Sequence, residues 1–113
     1  VWGDGSEVRD AIYVDDMVEA MILAANVLEG HHAINIGLGR GYNVKELLEM
    51  ILALDNYRAA KIVFNADRPT MIPLRLVDTS KAEQVLGFKA KVGIEEGLRR
   101  TIQWYRASHT PKP

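Results

Sequence analysis

The sequence of 113 residues contains no cysteine, which excludes disulfide bonds, thiolate metal sites and a cysteine nucleophile within this chain. It also lacks a signal peptide and any apolar run near the ~18–20 residues of a membrane span, so we expect a cytoplasmic location. The net charge is only −1, which argues against broad binding to nucleic acid or to a membrane surface. The first residue is Val1 and not methionine, so we expect the chain to be part of a longer protein.

Apolar runs alternate with helix-start signals, and this order predicts an α/β fold of short strands and about four helices, in one unit covering residues 1–113. Strands are predicted at residues 11–14, 33–36, 61–65 and 74–78. Three helices are predicted to begin at the caps Asp16, Asn43 and Ser80, each followed three residues later by glutamate. The first of them should end at Gly30. A fourth helix is expected near the C-terminus, before a frayed tail that starts at Ser108.

The acidic residues and the glycine-rich loop offer little catalytic chemistry by themselves. Asp15, Asp16 and Glu19 could bind a hard metal ion, but capping of a helix start is the favoured interpretation, and we predict no metal site. The loop at residues 37–41 has glycine at alternate positions. The dinucleotide-binding fingerprint G-x-G-x-x-G needs its third glycine one residue later, where this sequence has Tyr42. We therefore predict no cofactor-binding residue in this chain.

Arginines at strand ends are the more informative polar residues. Arg9 follows a glycine-rich turn, Arg68 precedes the rigid Pro69, and Arg75 follows a second proline. A guanidinium held in this way can present a fork to phosphate, although a surface salt bridge is the alternative for each arginine. Trp2 could offer a flat surface to a base or a sugar, and its alternative is an ordinary place in the core.

Four ordered motifs resemble one protein superfamily, the extended short-chain dehydrogenases/reductases that act on nucleotide sugars. Residues 1–16 resemble its V-W-G-x-G-x-x-x-R-[DE]-x-[IL]-[HY]-V-D-D segment, and residues 34–39 resemble its N-[IV]-G-x-G segment. Residues 75–88 resemble R-x-x-D-x-[ST]-[KR]-A…L-G-[FW], and residues 95–105 resemble the closing helix. The Trp-Gly pair near the N-terminus and the Arg-Pro pair at residues 68–69 are most similar to the GDP-L-fucose synthases and their relatives.

The resemblance implies that residues 1–113 are the C-terminal substrate-binding lobe of an epimerase, dehydratase or reductase. It implies that Arg9 and Arg68 grip the diphosphate of a nucleotide-diphosphate sugar, with Trp2 beside the substrate and Arg75 near the nucleotide. Many relatives carry an acid that bonds the ribose where this sequence has Met71. Ribose recognition at that position is therefore in doubt.

The superfamily's NAD(P)-binding glycine motif and its Tyr-x-x-x-Lys pair have no counterpart in this sequence, so we predict no catalytic residue here. The resemblance implies that the full-length protein binds NAD or NADP in an N-terminal Rossmann domain and that this part alone is inactive. A stand-alone nucleotide-sugar binding module and a non-catalytic interaction domain remain alternatives. We also expect the surface around Met17, Met21, Ala24 and Ala25 to be exposed or self-associated.

Overall fold

The chain folds into four helices around a small mixed sheet, which confirms the predicted α/β class. The computed structural model describes residues 1–70 and 72–109. The strands within these residues are β1 (Val8–Asp10), β2 (Gly41–Asn43) and β3 (Leu74–Arg75). The helices are α1 (Val14–Val27), α2 (Val44–Leu54), α3 (Ser80–Leu86) and α4 (Ile94–Ser108). None of these helices is long and apolar enough to cross a membrane.

The sheet has the order β2-β1-β3, so β1 is its central strand. β1 is antiparallel to β2 and parallel to β3. The prediction of a strand at residues 11–14 was wrong, because the paired strand ends at Asp10 and helix α1 already begins at Val14. The apolar character of the run reflects packing, since Ile12 contacts the buried core.

Two other predicted strands lack the partners that would make them strands. Residues 33–36 form no strand in the described structure, and of residues 61–65 only Asn65 forms isolated bridges, to Trp2 and Gly3. The strand predicted at residues 74–78 is limited to Leu74–Arg75. Composition suited each segment to a strand, but a ladder also needs a second backbone within hydrogen-bonding distance.

Only one of the three predicted helix caps is correct. Asn43 and Glu46 form a complete capping box, with hydrogen bonds of 2.8 and 2.9 Å between side chains and backbone amides. Helix α1 begins two residues before the predicted cap, with Tyr13 in the N-cap position, and it ends at Val27, before Gly30. Helix α3 is preceded by Thr79, so Ser80 is its first residue.

Helix α4 closes the structure by packing on α2. Arg106 of α4 forms an ion pair with Asp55, the C-cap of α2, and this guanidinium holds the pKa of the Asp55 carboxyl below its ordinary value. The helix continues through Ser108, so the chain does not fray at that residue. Residues 110–113 of the predicted frayed tail lie outside the described residues.

The buried core is small for the length of the chain. Its buried apolar residues come from α1, α3 and the segment after α3. They are Ala20, Ala82, Leu86 and Phe88. The molecule measures 50 × 40 × 19 Å and has a radius of gyration of 17.0 Å, whereas a compact domain of this length has about 13 Å. The chain is therefore a flat layer with much of its apolar surface uncovered.

Asp16 connects helix α1 to the loop before α4. Its side chain is only 3% exposed, and one carboxylate oxygen accepts hydrogen bonds from the backbone amides of Lys91 and Val92, at 3.1 and 2.9 Å. The predicted capping role was wrong because the helix starts earlier, which places this carboxylate inside the first turn and against the loop before α4. A carboxylate that satisfies two amides is a strong tether for that loop.

We expect Asp16→Ala to lower the free energy of unfolding by about 2–3 kcal/mol, because two amides lose a charged acceptor in a buried place. Urea unfolding followed by circular dichroism measures the change. The neighbouring Asp15→Ala is the matched control, since Asp15 lies in the same helical turn but is exposed. Equal effects of the two substitutions would contradict this role of Asp16.

Candidate functional site

The register of the sheet places two of the predicted arginines side by side. Arg9 of β1 is paired with Arg75 of the parallel strand β3, and on its other side with Tyr42 of the antiparallel strand β2. Directly paired residues project from the same face of a sheet, so the three side chains form a row across it. Neighbouring strands lie roughly 4.8 Å apart, which is close enough for two guanidinium groups to share one diphosphate.

Arg9 is fixed in position by the backbone around it. Its Nη1 atom donates hydrogen bonds to the carbonyl oxygens of Val8, at 2.9 Å, and Ile72, at 2.8 Å. The side chain is half-buried, whereas Arg75 is exposed. The guanidinium of Arg9 has no carboxylate partner among the described residues, so its remaining N–H groups are available to an anion.

Trp2 and Arg68 form a second pair of candidate residues. The Arg68 guanidinium carbon lies 5.7 Å from the centre of the Trp2 ring, in cation–π geometry. Asn65, three residues before Arg68, connects this part of the chain to the N-terminal segment, because its backbone bridges to both Trp2 and Gly3. Trp2 is 63% exposed, so the alternative of an ordinary core tryptophan is wrong for this structure.

The turn after Trp2 packs tightly on the segment that carries Arg68. Gly3 has φ +72°, and a Cβ atom at this residue would lie 2.2 Å from the methyl group of Thr70. A larger residue at Gly3 would therefore be both strained and obstructed. Ile72, four residues after Arg68, accepts a hydrogen bond from Arg9, so the two pairs of candidate residues are close along the chain. Met71, which stands where many relatives carry a ribose-binding acid, lies outside the described residues.

A cavity of about 300 Å³ opens between these two segments. Its lining comes from the turn at residues 3–7 and from the segment before β3. The lining residues are Gly3, Asp4, Ser6, Glu7, Ala66, Thr70 and Pro73. The hydroxyl and the amide of Ser6 donate to Asp4, and these bonds hold the pKa of the Asp4 carboxyl below its ordinary value. The sequence interpretation did not single out this turn as a cavity wall.

Comparison with known proteins places this arrangement in a family. The model of the GDP-mannose 4,6-dehydratase family matches residues 1–101 of the chain. The chain belongs to this family. A probable GDP-L-fucose synthase 1 of rice, Oryza sativa subsp. japonica, is 35% identical over 105 residues, which cover 93% of this chain and 31% of the rice protein.

Solved structures of related enzymes have the same fold. The UDP-glucose 4-epimerase of Thermotoga maritima, solved with UDP-glucose, is 36% identical with a TM-score of 0.86. The match covers 96% of this chain and 34% of the epimerase. The UDP-glucose 4-epimerase of Bifidobacterium longum, solved with NAD⁺ and UDP, is 29% identical with a TM-score of 0.78, over 92% of this chain and 31% of that one. The chain therefore spans about a third of the length of these relatives.

Two further residues of this dehydratase-family chain adjoin the row and were not predicted from the sequence. The guanidinium carbon of Arg40 lies 5.0 Å from the centre of the Tyr42 ring and so extends the positive charge beyond β2. Asp10, next to Arg9, accepts hydrogen bonds from the amides of Leu38 and Gly39, at 2.8 and 2.9 Å. Asp10 follows Arg9, which the family motif identifies. The role of Asp10 could not be read from the sequence because its partners lie 28 and 29 residues away.

We expect Asp10→Ala to increase the rate of amide hydrogen exchange at Leu38 and Gly39 by about tenfold, because both amides lose a charged acceptor. Exchange measured by nuclear magnetic resonance resolves the two positions. Asp67→Ala is the control, since Asp67 is exposed and lies in another loop. Unchanged protection at residues 38 and 39 would show that the loop is held by something else.

Proposed function

We propose that residues 1–113 form the nucleotide-sugar binding part of an NAD(P)-dependent epimerase, dehydratase or reductase. In this proposal Arg9 and Arg68 clamp the diphosphate, Arg75 assists, and Trp2 packs on the nucleotide or the sugar. The observation that carries the proposal is the row of Arg9 and Arg75 on one face of the sheet, without carboxylate partners in the described structure. A GDP-sugar is the first candidate substrate because of the likeness to GDP-L-fucose synthases.

The chemistry of the row suits a diphosphate. Guanidinium groups bind phosphate through two parallel N–H···O bonds, and these charge-assisted bonds are about twice as strong as neutral ones. Because the backbone already orients Arg9, little side-chain freedom remains to be lost when a ligand binds. In the full enzyme, contacts with this non-reacting part of the substrate would position the sugar for chemistry elsewhere.

The glycine-rich loop of this chain does not fit NAD(P). The amides of Leu38 and Gly39, which would have to face a pyrophosphate, are already bound to the Asp10 carboxylate. That carboxylate would also repel a phosphate placed at the loop. We infer that NAD(P) is held by another part of the full-length protein, as the resemblance implies.

An exposed apolar stripe on α1 offers the surface on which that other part would dock. The stripe consists of Val14, Val18, Met21, Ile22 and Ala25, which follow one another at helical spacing. Met21 and Ala25 are exposed as expected from the sequence, whereas Met17 and Ala24 are half-buried. Residues 33–36 belong to no strand of the described structure, so a further strand could pair with them. We propose that the cofactor-binding domain covers both features.

We expect Arg9→Ala to weaken the binding of GDP or UDP by about tenfold to a hundredfold, because it removes charge-assisted bonds to phosphate. Isothermal titration of the chain with each nucleotide measures this. Arg58→Ala is the control, since it removes an exposed arginine that lies away from the sheet. If neither GDP nor UDP binds, the chain is better explained as an interaction domain.

We expect the chain in isolation to self-associate through the apolar stripe and Met21→Glu to shift it toward the monomer. Sedimentation velocity over a range of concentrations measures the association. Gln84→Glu adds the same charge at an exposed residue of α3, outside the stripe, and should change little. A wild-type chain that stays monomeric at every concentration would contradict this use of the stripe.

A further inference from the structure

Arg40 is an arginine beside the sheet row to which the proposed function gives no ligand. Its guanidinium forms no ion pair with any carboxylate of the described residues, although five other basic side chains do. It lies instead over the Tyr42 ring, with its central carbon 5.0 Å from the ring centre. A ring contact supplies no hydrogen-bond acceptor, so the N–H donors of Arg40 remain available to an anion.

The backbone on both sides of Arg40 is held in place. Before it, the amide of Gly39 donates to the Asp10 carboxylate at 2.9 Å. Gly39 has φ +74° and packs so closely on Thr79 that a Cβ atom would lie 3.1 Å from the threonine hydroxyl. After Arg40, strand β2 begins and is bonded to β1. Because the ring contact also restrains its guanidinium, Arg40 loses little freedom when a ligand binds.

The register of the sheet places Arg40 diagonally beside Arg9. Arg9 is paired with Tyr42, and Arg40 stands two residues before Tyr42, so the three side chains share one face. Diagonal neighbours of this kind are about 7–8 Å apart, which is within reach of two long side chains. Asp10 projects from the opposite face, where it accepts the two loop amides described above, so it forms no ion pair with Arg40.

Arg40 lies on the side of Arg9 toward which a reacting sugar would extend. It stands just beyond the pair of Asp10 and Gly41, and so at the end of β1 from which the chain enters α1. The apolar stripe of α1, on which we propose that the cofactor-binding domain docks, begins at Val14. A sugar that reaches the cofactor therefore passes on the Arg40 side of the diphosphate.

A cavity of about 520 Å³ borders Tyr42 and offers room for this sugar. It lies among β2, α2 and the start of α4, and ligand pockets measure roughly 300–1,000 Å³. The two carboxylates in its wall, those of Glu95 and Glu96, are paired with Arg99. They therefore leave the Arg40 guanidinium to the ligand. A sugar carboxylate suits this guanidinium best, because its two oxygens match the fork of N–H donors, whereas a hydroxymethyl group offers one neutral acceptor.

We propose that Arg40 binds the carboxylate of an acidic sugar, so that the preferred ligand is a nucleotide-diphosphate uronate. Arg9 holds the diphosphate, and Arg40 holds the C6 carboxylate one sugar ring further along the same face. This inference rests on the proposed function, because it needs a diphosphate at Arg9. It adds a specificity-determining residue that separates acidic from neutral sugars on the same nucleotide.

Paired titrations test the proposal, with UDP-glucuronate against UDP-glucose and GDP-mannuronate against GDP-mannose. The members of each pair differ only at C6, which is a carboxylate in one and a hydroxymethyl group in the other. We expect the wild-type chain to bind the acidic sugar about tenfold more tightly, because charge-assisted hydrogen bonds are added. In Arg40→Gln the ratio should fall below about threefold, since a neutral amide replaces the cation. Arg58→Gln removes the same charge at an exposed residue and should leave the ratio unchanged.

The possible results separate this inference from the proposed function. Equal binding of both sugars by the wild type, or a full preference kept by Arg40→Gln, overturns the role of Arg40 and leaves the arginine row standing. An equal loss of preference in Arg58→Gln also overturns it, because the preference then reflects net charge alone. Absence of binding by every nucleotide sugar overturns both proposals. If Arg40→Gln does not fold, Arg40→Lys keeps the charge without the planar fork, and it should lower the ratio as well.

Discussion

The backbone pairing of β1 on both of its edges is the constraint on which the candidate site depends. This strand is only three residues long, yet it is bonded to β2 on one side and to β3 on the other. The amide of Val8 donates to Pro73, and the Arg9 side chain donates to Ile72, so strand and segment fix each other. A slip of one residue in this register would turn Arg9 to the opposite face and separate it from Arg75.

The described structure shows which parts of a fold a sequence can reveal. The capping box of Asn43 and Glu46 is local, because both partners lie within one helical turn, and it was predicted correctly. The strands at residues 33–36 and 61–65 had suitable composition, but pairing depends on a second segment that no local pattern specifies. Arg9 and Arg68 were predicted from strand-end position and family motifs, whereas the bond from Arg9 to Ile72, four residues after Arg68, is seen only in the fold.

The three carboxylates that organise this half of the molecule were the hardest features to predict. Asp10 binds amides 28 and 29 residues away, and Asp16 binds amides 75 and 76 residues away. The third carboxylate is that of Glu7. In the sequence all three residues lie close to turns or helix starts, where acidic residues ordinarily face water. Only the fold shows that two of these carboxylates tether loops while the third faces a cavity without a partner.

The distribution of charge explains how a chain with a net charge of −1 can hold an anion. Five of its basic side chains form ion pairs with carboxylates: Lys45, Lys91, Arg99, Arg100 and Arg106. Among the described residues, Arg9, Arg40, Arg68 and Arg75 have no such partner; Arg9 and Arg75 lie in the sheet row, and Arg40 and Arg68 contact the rings of Tyr42 and Trp2. Arg58, Lys61, Lys81 and Lys89 also lack a carboxylate partner among these residues, so the unpaired positive charge is not confined to the row. The row nevertheless brings two unpaired guanidinium groups to one face of the sheet, which is where the proposal places a diphosphate. Attraction of this kind is short in range at physiological ionic strength, where the screening length is about 8 Å. An anion therefore has to come within about this distance of the row to be attracted by it.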